Sequence, residues 1–266
     1  MTAGTAPPGG PGGAVPAEAR VEPAPGTAGV PPADEAVPRR ADLLVALLVV
    51  AWIPVVLLAD REASLVEQHL LGAGSAALLL GLVLREGALV RVQVAVLVLY
   101  AMVVELTFSV GLGAYSYRLD NVPLFVPPGH GLVYLAALCL GRSAPFRAAR
   151  PWLVPATGAV ALGYGLYGVT LAERPDAVGL FWAGCLAWFL WRGRAPLVYV
   201  AAFAVVTWLE LLGTAIGTWE WAPVDPVLGW VTMGNPPSGV AGAYCYLDAA
   251  ALTVAPALLR ARRRSG

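Results

Sequence analysis

The chain has 266 residues, of which 58% are hydrophobic and only 13% charged, and its formal net charge at neutral pH is zero. Soluble domains carry about 45–50% apolar and about 25% charged residues, so this composition excludes an ordinary soluble domain. A net charge of zero also excludes a nucleic-acid binder working through phosphate contacts. With a mean hydropathy of +0.71, the chain reads as a polytopic membrane protein whose first partner is the lipid bilayer.

Residues 1–38 hold nine prolines and seven glycines and few large apolar side chains. Such a segment buries too little surface to offset its ordering entropy, so it is expected to be a disordered cytoplasmic tail. No basic start, short apolar run and small-residue cleavage site make it a signal peptide. From there the transmembrane helical domain runs over 39–266.

Apolar stretches bounded by charges or turns follow at 41–59, 69–84, 92–112, 122–140, 152–172, 177–191, 195–216 and 239–259. A span needs about 20 residues for a hydrocarbon core of about 30 Å. The second and sixth are short by that measure. The fold class is therefore an all-α polytopic membrane helical bundle of about eight transmembrane helices.

Arginine supplies all 17 basic residues. If the tail is cytoplasmic, Arg39, Arg40, Arg85, Arg91, Arg142, Arg147, Arg150, Arg192, Arg194, Arg260, Arg262, Arg263 and Arg264 lie inside, and only Arg61, Arg118 and Arg174 lie outside. Every inner connection is richer in arginine than every outer one. The positive-inside rule then places both termini in the cytoplasm of a multi-pass plasma-membrane protein.

Two stretches look like one device built twice. The first runs from Glu105 through Gly111, Gly113, Tyr115 and Tyr117 to Asn121 and then Pro127, Pro128 and His130. The second runs from Glu210 through Gly213, Gly217, Trp219 and Trp221 to Asn235, Pro236 and Pro237. Both are helix, outer turn, helix. Four-helix halves over 41–140 and 152–259 would make a parallel repeat about an axis along the membrane normal; duplication and convergence both stay open.

An acid inside a lipid-spanning helix costs about 3 kcal/mol on insertion scales. Counting a rise of about 1.5 Å per residue from the outer turns puts Glu105, Glu210, His130 and Asp248 in one band of depth. These four are the candidate catalytic residues. Tyr115, Tyr117, Asn121, Trp219, Trp221 and Asn235 are the candidate substrate-binding residues. Asn235 reads as a helix cap before prolines in a first turn, with free backbone N–H groups favouring an anion. Residues 226–234 read as an irregular or re-entrant segment, and Pro127 and Pro128 as a break in the fourth span. Bland readings stand beside each of these. The acids can be protonated and hydrogen-bonded between helices, His130 and Asp248 can serve packing, and the aromatics can be an interfacial belt. The glycines can simply allow close packing. Cys139, Cys185 and Cys245 read as small buried thiols. No local ligand spacing supports a metal, and no cofactor motif is present.

Glu105 with its glycine-rich turn, Tyr115-Ser116-Tyr117, and the run from Val122 to Pro127 resemble the central motif of the carotenoid-biosynthesis membrane proteins that include the C50 carotenoid hydratases. Trp219-Glu220-Trp221 followed by Gly234-Asn235-Pro236 is similar to that family's second aromatic region. The likeness covers about a quarter of the chain. It departs at Leu112, where the family has Phe, at His130, where it tends to have Trp, and at Asn235, which precedes the prolines. The resemblance implies a polyprenoid or other lipid-phase substrate hydrated by carboxylic-acid general acid/base chemistry. Glu105 or Glu210 would protonate carbon, the four aromatics would line the substrate, and His130 or Asp248 would orient water. The alternatives are a small proton-coupled transporter, which also uses paired acids and broken helices, and a non-catalytic membrane subunit.

Overall fold

In a computed structural model, residues 1, 2, 39 and 41–265 are described. The tail expected to be disordered lies, apart from its first two residues, outside the described residues. Eight helices follow in order: α1 (Asp42–Asp60), α2 (Leu65–Val83), α3 (Ala88–Glu105), α4 (Val126–Arg142), α5 (Ala144–Thr170), α6 (Ala177–Arg192), α7 (Pro196–Ala215) and α8 (Ala241–Ser265). A π-helical turn, Leu106–Gly111, prolongs α3. Two three-residue strands, β1 (Tyr115–Tyr117) and β2 (Trp219–Trp221), pair antiparallel.

Among the described residues, six helices, counting α3 with its π turn, are long and apolar enough to cross a membrane, and the chain is a multi-pass integral membrane protein. The expected short second span is 19 residues long, because Ser64 and Glu67 form a capping box that starts α2 upstream of its last charge. The sixth does stay short, at 16 residues. α4 is 17 residues long, and thirteen of them are buried. It is the central post, packed against α1, α2, α3 and α7. Pro127 and Pro128 do not break it. They occupy its first turn, where an absent N–H costs nothing, and His130 is its fifth residue.

Two polar clusters define the ends of the bundle. At the arginine-rich end, Arg142 Nη2 donates to Asp42 Oδ1 at 2.6 Å and to Glu86 Oε1 at 2.8 Å, while Arg39 Nη1 lies 2.9 Å from Glu86 Oε2. This ties the start of α1, the α2–α3 turn and the end of α4 together. At the opposite end, Gln68 Nε2 donates to Asp60 Oδ1 at 2.8 Å, and Arg118 Nη2 donates to the Ala63 carbonyl at 2.6 Å. Asp60, read from sequence as a loop residue, is therefore buried.

The segment expected to be re-entrant forms a small second hairpin instead. Asp225 N–H donates to the Val231 carbonyl and Met233 N–H to the Pro223 carbonyl, and Asp225 Oδ1 accepts from the N–H groups of Val227 and Leu228. α8 begins only at Ala241, since Pro236, Pro237 and Gly239 make a further turn first. Asn235 is thus not a helix cap. The anion expected for this turn comes from the protein. Asp176 Oδ1 accepts from the N–H groups of Gly179 and Gly234 at 2.8 Å, and its Oδ2 from that of Ser238 at 2.6 Å.

Removing one member of a buried ion cluster strands its partners in a low dielectric. Arg142→Ala is expected to destabilise the protein by about 3–5 kcal/mol, read as thermal unfolding in detergent. Arg142→Lys recovers only part of this, because an ammonium cannot bridge Asp42 and Glu86 as a planar fork does.

Candidate functional site

Strand alternation builds the site. In a strand, side chains at i and i+2 share a face, so Tyr115 and Tyr117 point one way and Ser116 the other. The same holds for Trp219 and Trp221 against Glu220. The register sets Tyr115 against Trp221, Ser116 against Glu220 and Tyr117 against Trp219. All four aromatics face into the bundle, with Ser116 and Glu220 exposed on the back.

Each inward face feeds one carboxylate. Tyr115 and Tyr117 both donate their hydroxyls to Glu105 Oε2 at 2.9 Å. Trp219 and Trp221 donate their indole N–H groups to Glu210 Oε2 at 3.0 and 3.2 Å. His130 Nε2 lies 2.9 Å from Glu105 Oε1, and Tyr244 lies within electrostatic reach of Glu210. The rings of His130 and Tyr244 stack at 5.3 Å and 25°. Donors and stacked rings therefore link the two acids in one arc. Both glutamates are 4% exposed. Counting helical rise from the turns placed the aromatics a long way from the acids. The β1–β2 ribbon closes that distance by folding its side chains back over the ends of α3 and α7.

Packing crosses between the two devices. α3, which carries Glu105, packs on α8, the helix that follows β2; α7, which carries Glu210, packs on α4, the helix that follows β1. The spacing is nonetheless unequal, with Glu105 ten residues before Tyr115 and Glu210 nine before Trp219. The π turn accounts for the difference. Leu112 N–H donates to the Thr107 carbonyl five residues back, which widens the helix to take one extra residue. Gly113 at φ +70° and Gly217 at φ +78° then make the same left-handed turn into β1 and β2. Gly213 serves differently: a Cβ there would strike the Trp219 indole.

Glu105, Glu210, His130 and Tyr244 line a cavity of about 720 Å³ whose other walls are mostly apolar, among them Trp52, Phe181 and Trp182. Of the sequence candidates, Glu105, Glu210, His130, Tyr115, Tyr117, Trp219 and Trp221 come together there. Asp248 does not reach it. It lies one turn beyond Tyr244, 3% exposed, within electrostatic reach of the Tyr134 phenol. Tyr134 Oη, Asp248 Oδ2 and His130 Nδ1 have no hydrogen-bond partner among the described residues. Asn121 and Asn235 support the hairpin end. Asn121 Nδ2 donates to Gln68 at 2.7 Å, and Asn235 Oδ1 accepts the Trp221 N–H at 3.0 Å.

Sequence reading missed Tyr244 as a neighbour of Glu210, and Arg174, which donates to the carbonyls of Met233, Trp221 and Ala222 and so fixes the second hairpin to β2. Tyr244 had one signal: it lies four residues before Asp248, as His130 lies four before Tyr134. A further grouping of Asp42, Glu86 and Cys139 brings potential ligand atoms within 4.8 Å of one another. The Arg142 guanidinium already occupies that space as donor to both acids.

If the π turn absorbs one surplus residue, deleting the exposed Val110 converts it to ordinary helix and leaves Tyr115 and Tyr117 on Glu105. The melting temperature then stays close to that of the parent. Deleting Leu211 from α7, which has no surplus residue, rotates Glu210 away from Trp219 and Trp221 and lowers it by several degrees, the scale of about 1–3 kcal/mol of lost charge-assisted hydrogen bonding. No protein-family model, curated protein or solved structure matches this chain.

Proposed function

We propose that this protein is an enzyme of the membrane phase that adds water across, or removes it from, an isolated double bond of a polyprenoid or other apolar lipid. The observation that carries the reading is the arrangement of two buried carboxylic acids in one largely apolar chamber, each held by aromatic donors. One of the two acids gives a proton to an alkene carbon. The π electrons form the new C–H bond, and the neighbouring carbon becomes a cation. Water adds to the cation through oxygen and then gives a proton back to the second carboxylate or to His130. The net change is alkene plus water to alcohol, with the acid pair restored.

The roles divide by environment. Glu105, joined to His130, suits the base that receives the proton from water; Glu210, held by two indoles, suits the acid. The faces of Tyr115, Trp219 and Trp221 stabilise the passing cation. Asp248, set behind Tyr244, acts through its neighbours and not on substrate. The resemblance to carotenoid-biosynthesis membrane proteins points to the same chemistry. The arginine distribution supports a plasma-membrane orientation with both termini cytoplasmic and the hairpin outside.

Proton-coupled transport is a second reading, favoured by the exchange of helices between halves with the acids at the seam. One experiment separates the two. Protein in nanodiscs, where no gradient exists, is incubated with a lipid extract of its source, and products are resolved by mass. Gain or loss of one water is expected for the parent. Glu105→Gln and Glu210→Gln are each expected to lower the rate by about 100-fold or more, the usual contribution of a general acid or base. Full activity in both variants sinks the acid–base assignment. Solute uptake into vesicles driven by a pH gradient, with no lipid conversion, favours the transporter.

A further inference from the structure

We propose that the chamber is only the head of a longer binding site, and that the remainder of a single linear hydrocarbon chain lies in a groove along the lipid-facing side of α6. This rests on the reading that the chamber takes a lipid-phase substrate, and it adds that the substrate is a chain longer than the chamber.

The groove lies between α6 and α8. Ala177, Phe181, Gly184 and Trp188 are spaced by four, three and four residues and so form one stripe of α6. Tyr246 of α8 makes the facing wall. From Ala177 to Trp188 the stripe climbs about 16 Å, roughly half the thickness of a bilayer's hydrocarbon core. Its floor is hollow, since a Cβ placed on Gly184 meets nothing within 4 Å. Its rims are aromatic: Phe181 is 62% and Trp188 57% exposed.

Two observations identify the occupant. Phe181 and Tyr246 line the groove and the chamber alike, so the two spaces meet at a shared wall. No charged side chain lines the groove. Its two polar side chains are engaged with each other, the Tyr246 hydroxyl donating to Cys185 Sγ at 3.7 Å. An uncharged surface open to lipid and adjoining an apolar chamber, whose one further side-chain donor is the Trp188 indole N–H at its far end, matches an alkyl or isoprenoid tail. It does not match a peptide or a headgroup, whose polar groups would go unpaired there.

The test is binding, so it stands apart from the catalytic reading. Protein in nanodiscs is titrated with geraniol, short enough to sit wholly inside the chamber, and with undecaprenol, which is not, and occupancy is read by native mass spectrometry. Gly184→Trp fills the groove where there is open space. Gly163→Trp, on the exposed face of α5 where a Cβ also meets nothing within 4 Å, controls for added bulk. Gly184→Trp is expected to weaken undecaprenol about tenfold and to leave geraniol unchanged, whereas Gly163→Trp changes neither. Equal undecaprenol binding in Gly184→Trp and parent overturns the proposal, as does an equal loss for both alcohols. If the glutamate variants lose turnover while this chain-length pattern holds, chemistry and groove are both supported. If those variants keep turnover and the pattern holds, only the acid–base assignment fails.

Discussion

A carboxylate buried in a membrane protein must find its hydrogen-bond donors within the chain, because the lipid offers none. Glu105 and Glu210 impose that requirement at matching positions, and much of this structure answers it. Among the described residues, the side-chain hydrogen bonds to these acids come from outside the helices that carry them. The chain therefore leaves each helix through a left-handed glycine, runs three residues as strand, and returns two aromatic donors to each acid. The two strands pair because each would otherwise leave a row of unsatisfied backbone groups near the bilayer. One ribbon thereby caps two acids, and joining the halves is a by-product of satisfying them.

The remaining polar groups follow the same logic at the margins. Arg142 collects Asp42 and Glu86 where three connections converge, and Asp176 collects three backbone N–H groups where the proline-rich turn would leave them bare. Such clusters are worth little as net stability but cost much when one member is lost. Their value is positional. Arg142 fixes the end of α4 and Asp176 joins the start of α6 to the proline-rich turn, while near the start of α4 His130 meets Glu105 and its ring lies over Tyr244.

Much of this was legible in the sequence, for physical reasons. Membrane-length apolar runs have few interpretations, so the helices and their number followed from composition and spacing. The acid, glycine and aromatic-x-aromatic order was legible as a repeated device because period-two alternation puts both aromatics of each pair on one face. What escaped was whatever depended on how the chain turns back. Rise per residue measures a straight helix and says nothing of a ribbon folding over its end, so the aromatics read as lining a substrate or forming an interfacial belt, and their bonds to the acids were not legible. Asn235 looked like a helix cap because its prolines fit a first turn; that it receives the Trp221 N–H depends on the β1–β2 ribbon, a contact across the whole domain. Asp60 and Glu67 looked like loop charges, since a capping box and a buried amide partner move a helix boundary without changing hydropathy.

The pairing of phenols with one acid and indoles with the other has a stereochemical consequence. Were the halves identical, a ligand and its reversed image would fit equally well, and both faces of a flat double bond would meet the same groups. Here one wall is tyrosine and histidine, the other tryptophan and tyrosine, and only one side carries the extra π-turn residue. A planar group held between such walls would meet chemically different groups on its two sides.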